Sequence, residues 1–218
     1  LGTRAHAWTR FIPKEFYPLD GRPGILHLFD EIQALGSARI CVVYHPYYEP
    51  FIEWIRHLLD GGVDRYDRLA RSPVPGQRRP TLTGLNVSFR AQQGCYSDLS
   101  SILTAAAWLT EPRFLVAFAD NLYLDTNPLT ALTETAHEGP ALLARPFTVA
   151  EAHRRGVIIA PVRDRHRYVV DIVEKPSPTE ALALLLHWGQ DNLYFVEGRF
   201  LLTSHFLATI DQDLCRAA

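Results

Sequence analysis

Two residue periods alternate along this chain, and that alternation limits the folds open to it. The segment "ILHLFDEIQALG" places apolar residues at 25, 26, 28, 29, 32 and 35, a helical spacing closed by Gly36. "ARICVVYHP" follows, a β-branched run stopped by Pro46, which reads as a buried strand. "YEPFIEWIRHLL" returns to the helical period and ends at Gly61-Gly62. "NVSFRAQ" alternates as a strand, "DLSSILTAAAWL" reads as a helix with Asp98 as its N-cap, and "RFLVAFAD" is a strand that delivers Asp120. "NPLTALTETAHEG" is a further capped helix.

Beyond residue 140 the pattern tightens. "ALLAR", "GVIIAPV", "YVVDIVEKP" and "NLYFVEGRFLL" read as strands, and "TEALALLL" and "SHFLATI" as helices. Helix–strand alternation through the first two thirds predicts an α/β fold, a doubly wound, mostly parallel sheet with helices on both faces. The hairpin-like strands near 156–175 add a mixed region at one edge. No internal repeat and no long polar linker divides the chain, so residues 1–218 are expected to form one domain. "RSPVPGQRRP" reads as a loop, rich in cations and proline.

Bulk chemistry narrows the function classes. A composition 47% hydrophobic and 21% charged is that of a globular chain, and a net charge of −2 argues against bulk polyanion binding. No nucleic-acid partner is therefore expected. No apolar run is long enough to cross a bilayer, so no membrane partner is expected either. Three scattered cysteines (Cys41, Cys95, Cys215) form no disulfide framework, which favours a reducing, cytoplasmic setting. Nine histidines lack zinc-site spacing. Homo-oligomerisation stays open.

In open α/β sheets, ligands gather at the carboxyl ends of strands. Asp120 leaves a wholly apolar strand, and it reads either as a Mg²⁺ ligand or as a turn or capping aspartate. The chain opens "LGTRAHAWTRFIPKEFYPLDGRP", with Arg4, Arg10 and Lys14 inside its first fourteen residues. Glycine lets backbone approach phosphate oxygens and the cations offer donors to them; the alternative is a solvated basic loop. "VEKP" places Glu174 and Lys175 after an apolar strand, either as an exposed strand end or as a carboxylate for sugar hydroxyls beside an ammonium for phosphate. On an extended strand these two side chains point to opposite sides, unless a bend at Pro176 intervenes.

Taken in order, "GTR", "IPKEFYPLDGRP", "YSDLSSILTAA", the strand ending in Asp120, "RRGVIIA", "IVEKP" and "DNLYFVEGRFLL" resemble the sugar-1-phosphate nucleotidyltransferase family. The likeness is greatest to its bacterial UTP–glucose-1-phosphate uridylyltransferases. The resemblance runs over almost the whole chain, and its most specific piece is the spacing of "GTR" to "IPKE". It implies a Rossmann-like, GT-A-like sheet and a Mg²⁺-dependent reaction that makes an NDP-sugar and pyrophosphate from an NTP, UTP first, and a sugar-1-phosphate, glucose-1-phosphate first. It implies that Gly2, Thr3, Arg4 and Lys14 wrap the triphosphate, that Gln92 reads the base and that Asp120 binds Mg²⁺. Gly156, Glu174 and Asn192 fall at sugar-hydroxyl positions, and Lys175 falls at the sugar-phosphate position.

The family's first strand, half its glycine loop and its C-terminal portion with a second metal aspartate are expected to lie outside these residues. "CYSDLS" departs from the family's glycine-rich turn, with Cys95 and Ser97 where glycines are usual. That departure keeps open a non-catalytic sugar-nucleotide-binding relative. A GT-A glycosyltransferase shares the sheet and the strand-end aspartate but accounts for neither "GTR…PKE" nor "VEKP".

Overall fold

The computed structural model describes residue 9 and residues 11–36, 39–60, 85–134 and 139–209. A 3₁₀ turn at Lys14–Phe16 leads into the two-residue strands β1 (Pro18–Leu19) and β2 (Arg22–Pro23), paired antiparallel. Helix α1 (Gly24–Gln33), strand β3 (Arg39–Tyr44), helix α2 (Glu49–Leu59) and strand β4 (Asn86–Ala91) follow. Their apolar faces close on one core of Ile25, Leu26, Phe29, Ile40, Ile52 and Ile55, with Val87 and Phe89 packed against it. This is the period-3.6 and β-branched patterning made physical: each element buries one apolar stripe, and on α1 one charge, Glu31, is buried as well.

Helix α3 (Asp98–Ala106) starts one residue earlier than its sequence suggests. Its N-cap is Ser97, not Asp98; Ser97 Oγ accepts from the backbone N–H of Ser100 at 3.1 Å, and Ser100 Oγ accepts from the N–H of Ser97 at 3.2 Å. Asp98 instead adds its charge to the first turn, where a helix favours anions. Strand β5 (Arg113–Ala117) and helix α4 (Pro128–Glu134) follow, with Asn127 Oδ1 accepting from Thr130 N–H.

The remaining elements are β6 (Ala141–Pro146), β7 (Gly156–Ile159), the small hairpin β8 (Val162–Arg163) and β9 (His166–Arg167), β10 (Asp171–Glu174), α5 (Pro178–Trp188), β11 (Leu193–Thr203) and α6 (Ser204–Thr209). One sheet runs β10-β7-β11-β5, with β6 also paired to β11. Helix α5 covers it through a second core of Phe147, Ala152, Val157, Ile159, Ala181, Leu193 and Phe195.

The chain is thus mixed α/β, but the expected mostly parallel sheet is not what the pairings show. Among the described residues only β3 and β4 pair in parallel; every partnership of β5, β6, β7, β10 and β11 is antiparallel. Connection length explains part of the difference. Parallel neighbours need a crossover of a dozen or more residues, which α2 and the segment after it supply between β3 and β4. Between β7 and β10 the chain reverses through the short β8–β9 hairpin, which can only join antiparallel strands.

Candidate active site

The site is organised by an irregularity in β11. Its residues Leu193–Phe195 pair with β7 and Arg199–Thr203 pair with β5, while β6 follows both halves and loses register between Val196 and Phe200. The bulge carries Gly198 at φ +61, a backbone angle that L side chains rarely adopt. Phe118 N–H, just past the end of β5, donates to Gly198 O at 2.9 Å. At the other side of the bulge, Gly156 begins β7 opposite Val196. The carboxyl end of β5 and the amino end of β7 therefore reach β11 two residues apart, roughly 7 Å along the strand.

Asp120 lies in the turn after β5, with Asn121 N–H closing on Phe118 O at 3.2 Å. Its carboxylate is bonded to the ammonium of Lys14, 106 residues earlier. The two side chains are 37% and 34% exposed, so the pair faces open solvent on one side. Gly2, Thr3 and Arg4 lie outside the described residues.

Beneath this turn sits an ion pair the sequence reading missed. Arg199 is fully buried, and Glu31 of α1 is nearly so. Arg199 Nε and Nη2 donate to the two carboxylate oxygens of Glu31 at 2.9 and 2.8 Å. The same guanidinium donates to the carbonyls of Phe118 at 3.0 Å, Gly198 at 3.1 Å and Asn121 at 2.7 Å, and its face lies 5.0 Å from the Tyr123 ring centroid. One signal was available: a glycine and an arginine together inside an apolar strand mark a bulge and a buried charge that needs partners.

Across the bulge, Gly156 and Glu174 are direct partners in the β7–β10 ladder. A methyl group at Gly156 would stand 2.9 Å from Glu174 Oε2, so glycine there leaves the carboxylate its place. Lys175 has φ +49, and this left-handed turn folds its ammonium back onto the Glu174 carboxylate. The side chains expected on opposite sides of an extended strand are thus brought together by one backbone angle.

Gln92, just past β4, spends its amide on the altered turn: Nε2 donates to Ser97 O at 2.9 Å and to Ser100 Oγ at 2.7 Å. Ser97 has an extended backbone, φ −153 and ψ 163, which needs no glycine. Next to it Tyr96, 60% exposed, sets its ring 5.5 Å from that of His45. Burial raises the Tyr96 phenol above its ordinary value and the charge of Lys14 opposes the rise, while Asp98, Glu15 and Asp120 add to it.

Asn192 is not brought to this group. Its carbonyl accepts from Ala160 N–H at 2.8 Å, and its Nδ2 donates to Trp188 O at 2.8 Å at the end of α5. That level is four residues from Gly156 along β7, roughly 13 Å away. On β11 the residue against Gly156 is Val196, and the next one, Glu197, has its Oε1 accepting from Arg145 Nε at 2.6 Å and Arg155 Nη1 at 3.4 Å.

Solved structures with this architecture exist. The chain matches apo UDP-glucose pyrophosphorylase with a TM-score of 0.66 at 20% identity, over 95% of this chain and 74% of that one. It matches UTP-bound UGPase from Acinetobacter baumannii with a TM-score of 0.66 at 19% identity, over 95% and 73%. For the inositol-1-phosphate CTP transferase from T. maritima the TM-score is 0.64 at 14% identity, over 97% and 70%. No family model and no curated protein matches the sequence. The chain has a nucleotidyltransferase fold. More narrowly, it is the fold of the sugar-1-phosphate nucleotidyltransferases, seen in UDP-glucose pyrophosphorylase.

Proposed function

We propose that this chain joins a nucleotide to a sugar-1-phosphate, releasing pyrophosphate, with UTP and glucose-1-phosphate as the first substrates to try. The observation that carries the reading is the meeting of Lys14 with Asp120, set one strand bulge away from Gly156, Glu174 and Lys175. A cation–carboxylate pair for a metal-bound triphosphate thereby lies across one strand bulge from a carboxylate–ammonium pair for a sugar phosphate. The fold supports the class, since relatives of the same architecture were solved with UTP and with UDP-glucose bound.

The donor set suits Mg²⁺. Among the described residues no group of three or more His, Cys, Asp or Glu side chains could hold a metal. A lone, half-exposed Asp120 is what an ion needs if it keeps water and takes its other oxygens from substrate phosphates. When bound, the ion supplies positive charge to the phosphate oxygens.

The chain's own residues do the rest. Asp120 provides the carboxylate, and Lys14 moves from Asp120 to the β- and γ-phosphate oxygens, a task the family resemblance also gives to Arg4. Lys175 holds the sugar phosphate, while Glu174 takes ring hydroxyls in the room that Gly156 leaves. An oxygen of the sugar-1-phosphate attacks the α-phosphorus in line as the bond from that phosphorus to the β-phosphate bridge breaks. Pyrophosphate then departs toward the cations. Positioning and charge neutralisation account for the acceleration, and no covalent enzyme intermediate is required.

Pyrophosphate release, measured over the four NTPs with glucose-1-phosphate and related sugar phosphates, tests the reading. Release is expected with Mg²⁺ and lost with EDTA. Asp120→Asn is expected to lower it at least a hundred-fold while the protein stays folded. Nucleotide binding without release from any pair would make the chain a non-catalytic sugar-nucleotide binder.

A further inference from the structure

The buried pair of Arg199 and Glu31 has more donors and acceptors engaged than packing alone requires. We infer that Arg199 is a positioning residue for Asp120: its guanidinium, fixed by Glu31 of α1, clamps the turn that presents the Asp120 carboxylate to a metal–nucleotide. This rests on the metal-binding reading of Asp120 given above.

The geometry carries the assignment. The turn is held at both shoulders, by Arg199 Nη1 on Phe118 O at 3.0 Å and Nη2 on Asn121 O at 2.7 Å, and Asp120 lies between those carbonyls. Arg199 is anchored in turn by two parallel bonds to Glu31, at 2.9 and 2.8 Å, a fork geometry that fixes the plane of the guanidinium. Glu31 is itself tied to the far end of the same loop, because its carbonyl accepts from Asn127 Nδ2 at 2.8 Å. Gly198 completes the clamp, since its carbonyl accepts from both Arg199 Nη1 and Phe118 N–H. All three bonds on the turn run to Arg199 or Gly198, both buried away from the solvent face where Asp120 meets Lys14.

Such an ion pair is weak evidence for stability, because apolar residues of similar volume can replace both members at little cost to the fold. Its place under one catalytic turn points to function. A structural role and a positioning role therefore predict different results.

The test compares wild type, Asp120→Asn, Arg199→Lys and the double variant Arg199→Met/Glu31→Leu. Mn²⁺·UTP binding is read by electron paramagnetic resonance, and glucose-1-phosphate binding by calorimetry. The double variant is expected to stay folded, bind Mn²⁺·UTP about ten-fold more weakly and bind glucose-1-phosphate as wild type does. Arg199→Lys, which keeps the charge and some of the donors, should fall between the two. Unchanged Mn²⁺·UTP affinity in a folded double variant, or equal losses for both ligands, would overturn the assignment.

If wild type and Asp120→Asn bind Mn²⁺·UTP alike, the metal reading of Asp120 is what fails, and the proposal falls with it. Hydrogen exchange on the wild type decides the matter without any variant. The Asn121 amide is expected to exchange as slowly as the paired amides of β11, and fast exchange would show an unclamped turn.

Discussion

A single methyl group at position 198 should disturb the site more than one at position 156, although both residues are glycines on the strands that build it. At Gly198 the added carbon would stand 3.1 Å from Asn121 Cγ and 3.3 Å from Phe118 Cβ, and it would press directly on Asn121 Nδ2. The left-handed backbone there, φ +61, adds about 1–2 kcal/mol for any residue with a β-carbon. Forcing the loop aside adds about 1–3 kcal/mol, the usual range for overpacking. A total near 3 kcal/mol lowers the melting temperature of a chain this size by about 6–12 °C.

At Gly156 the neighbour is Glu174 Oε2 at 2.9 Å, the free end of a flexible side chain, and the φ is ordinary. Turning that carboxylate aside costs about 1 kcal/mol, a rotamer adjustment. Gly198→Ala should therefore melt well below wild type and lose Mn²⁺·UTP affinity, whereas Gly156→Ala should melt within about 4 °C and lose sugar-phosphate affinity alone. Circular dichroism melts and titration of each ligand are sufficient. Equal shifts in the two variants, or a Gly198→Ala protein that melts with wild type, would refute the steric argument.

Two further outcomes follow from single contacts. Lys175→Ala should weaken glucose-1-phosphate binding about ten-fold or more and leave UTP nearly untouched, because a charged hydrogen bond is worth about 1.5–3 kcal/mol; calorimetric titrations with each ligand check the split. The Glu111 carboxylate accepts from Arg39 Nη2 at 2.8 Å and from the Thr110 N–H at 3.1 Å, and these bonds, Arg39's first, pull its pKa from 4.5 down to about 2. A lowered folded-state pKa means stability that is present above pH 4.5 and lost as the pH falls through 2. Glu111→Gln should thus melt below wild type at neutral pH and together with it near pH 2, in parallel thermal scans.

Much of the element order was legible because each segment carries its own period. Gly36 does lie just past α1 with φ +92, and the helix and strand at either side of it fall where apolar spacing puts them. Strand direction was not legible. Alternation says which elements exist, while pairing depends on connection lengths and on a bulge that only the folded β11 reveals. The Asp98 N-cap was misplaced because Ser97 and Asp98 both favour caps, and only the reciprocal bonds with Ser100 decide between them.

At the site, Lys14 and Asp120 were found through motif order, since local chemistry could not join residues so far apart. Arg199 had only the signal of a glycine and an arginine side by side in an apolar strand, and nothing in the sequence joined it to Glu31. Asn192 looked equivalent to Glu174 in one dimension, but β7 separates the two along its length.

The bulged strand also bears on how such a molecule can change over generations. The Asp120 side leans on α1 through Glu31 and Arg199, whereas the Glu174 side leans on the ladder between Gly156 and Glu174. Each half has its own foundation and only the rail between them is shared. On the proposed reading, changes along the ladder near Gly156 and Glu174 would retune the accepted ring while leaving the Glu31–Arg199 support of the other half untouched.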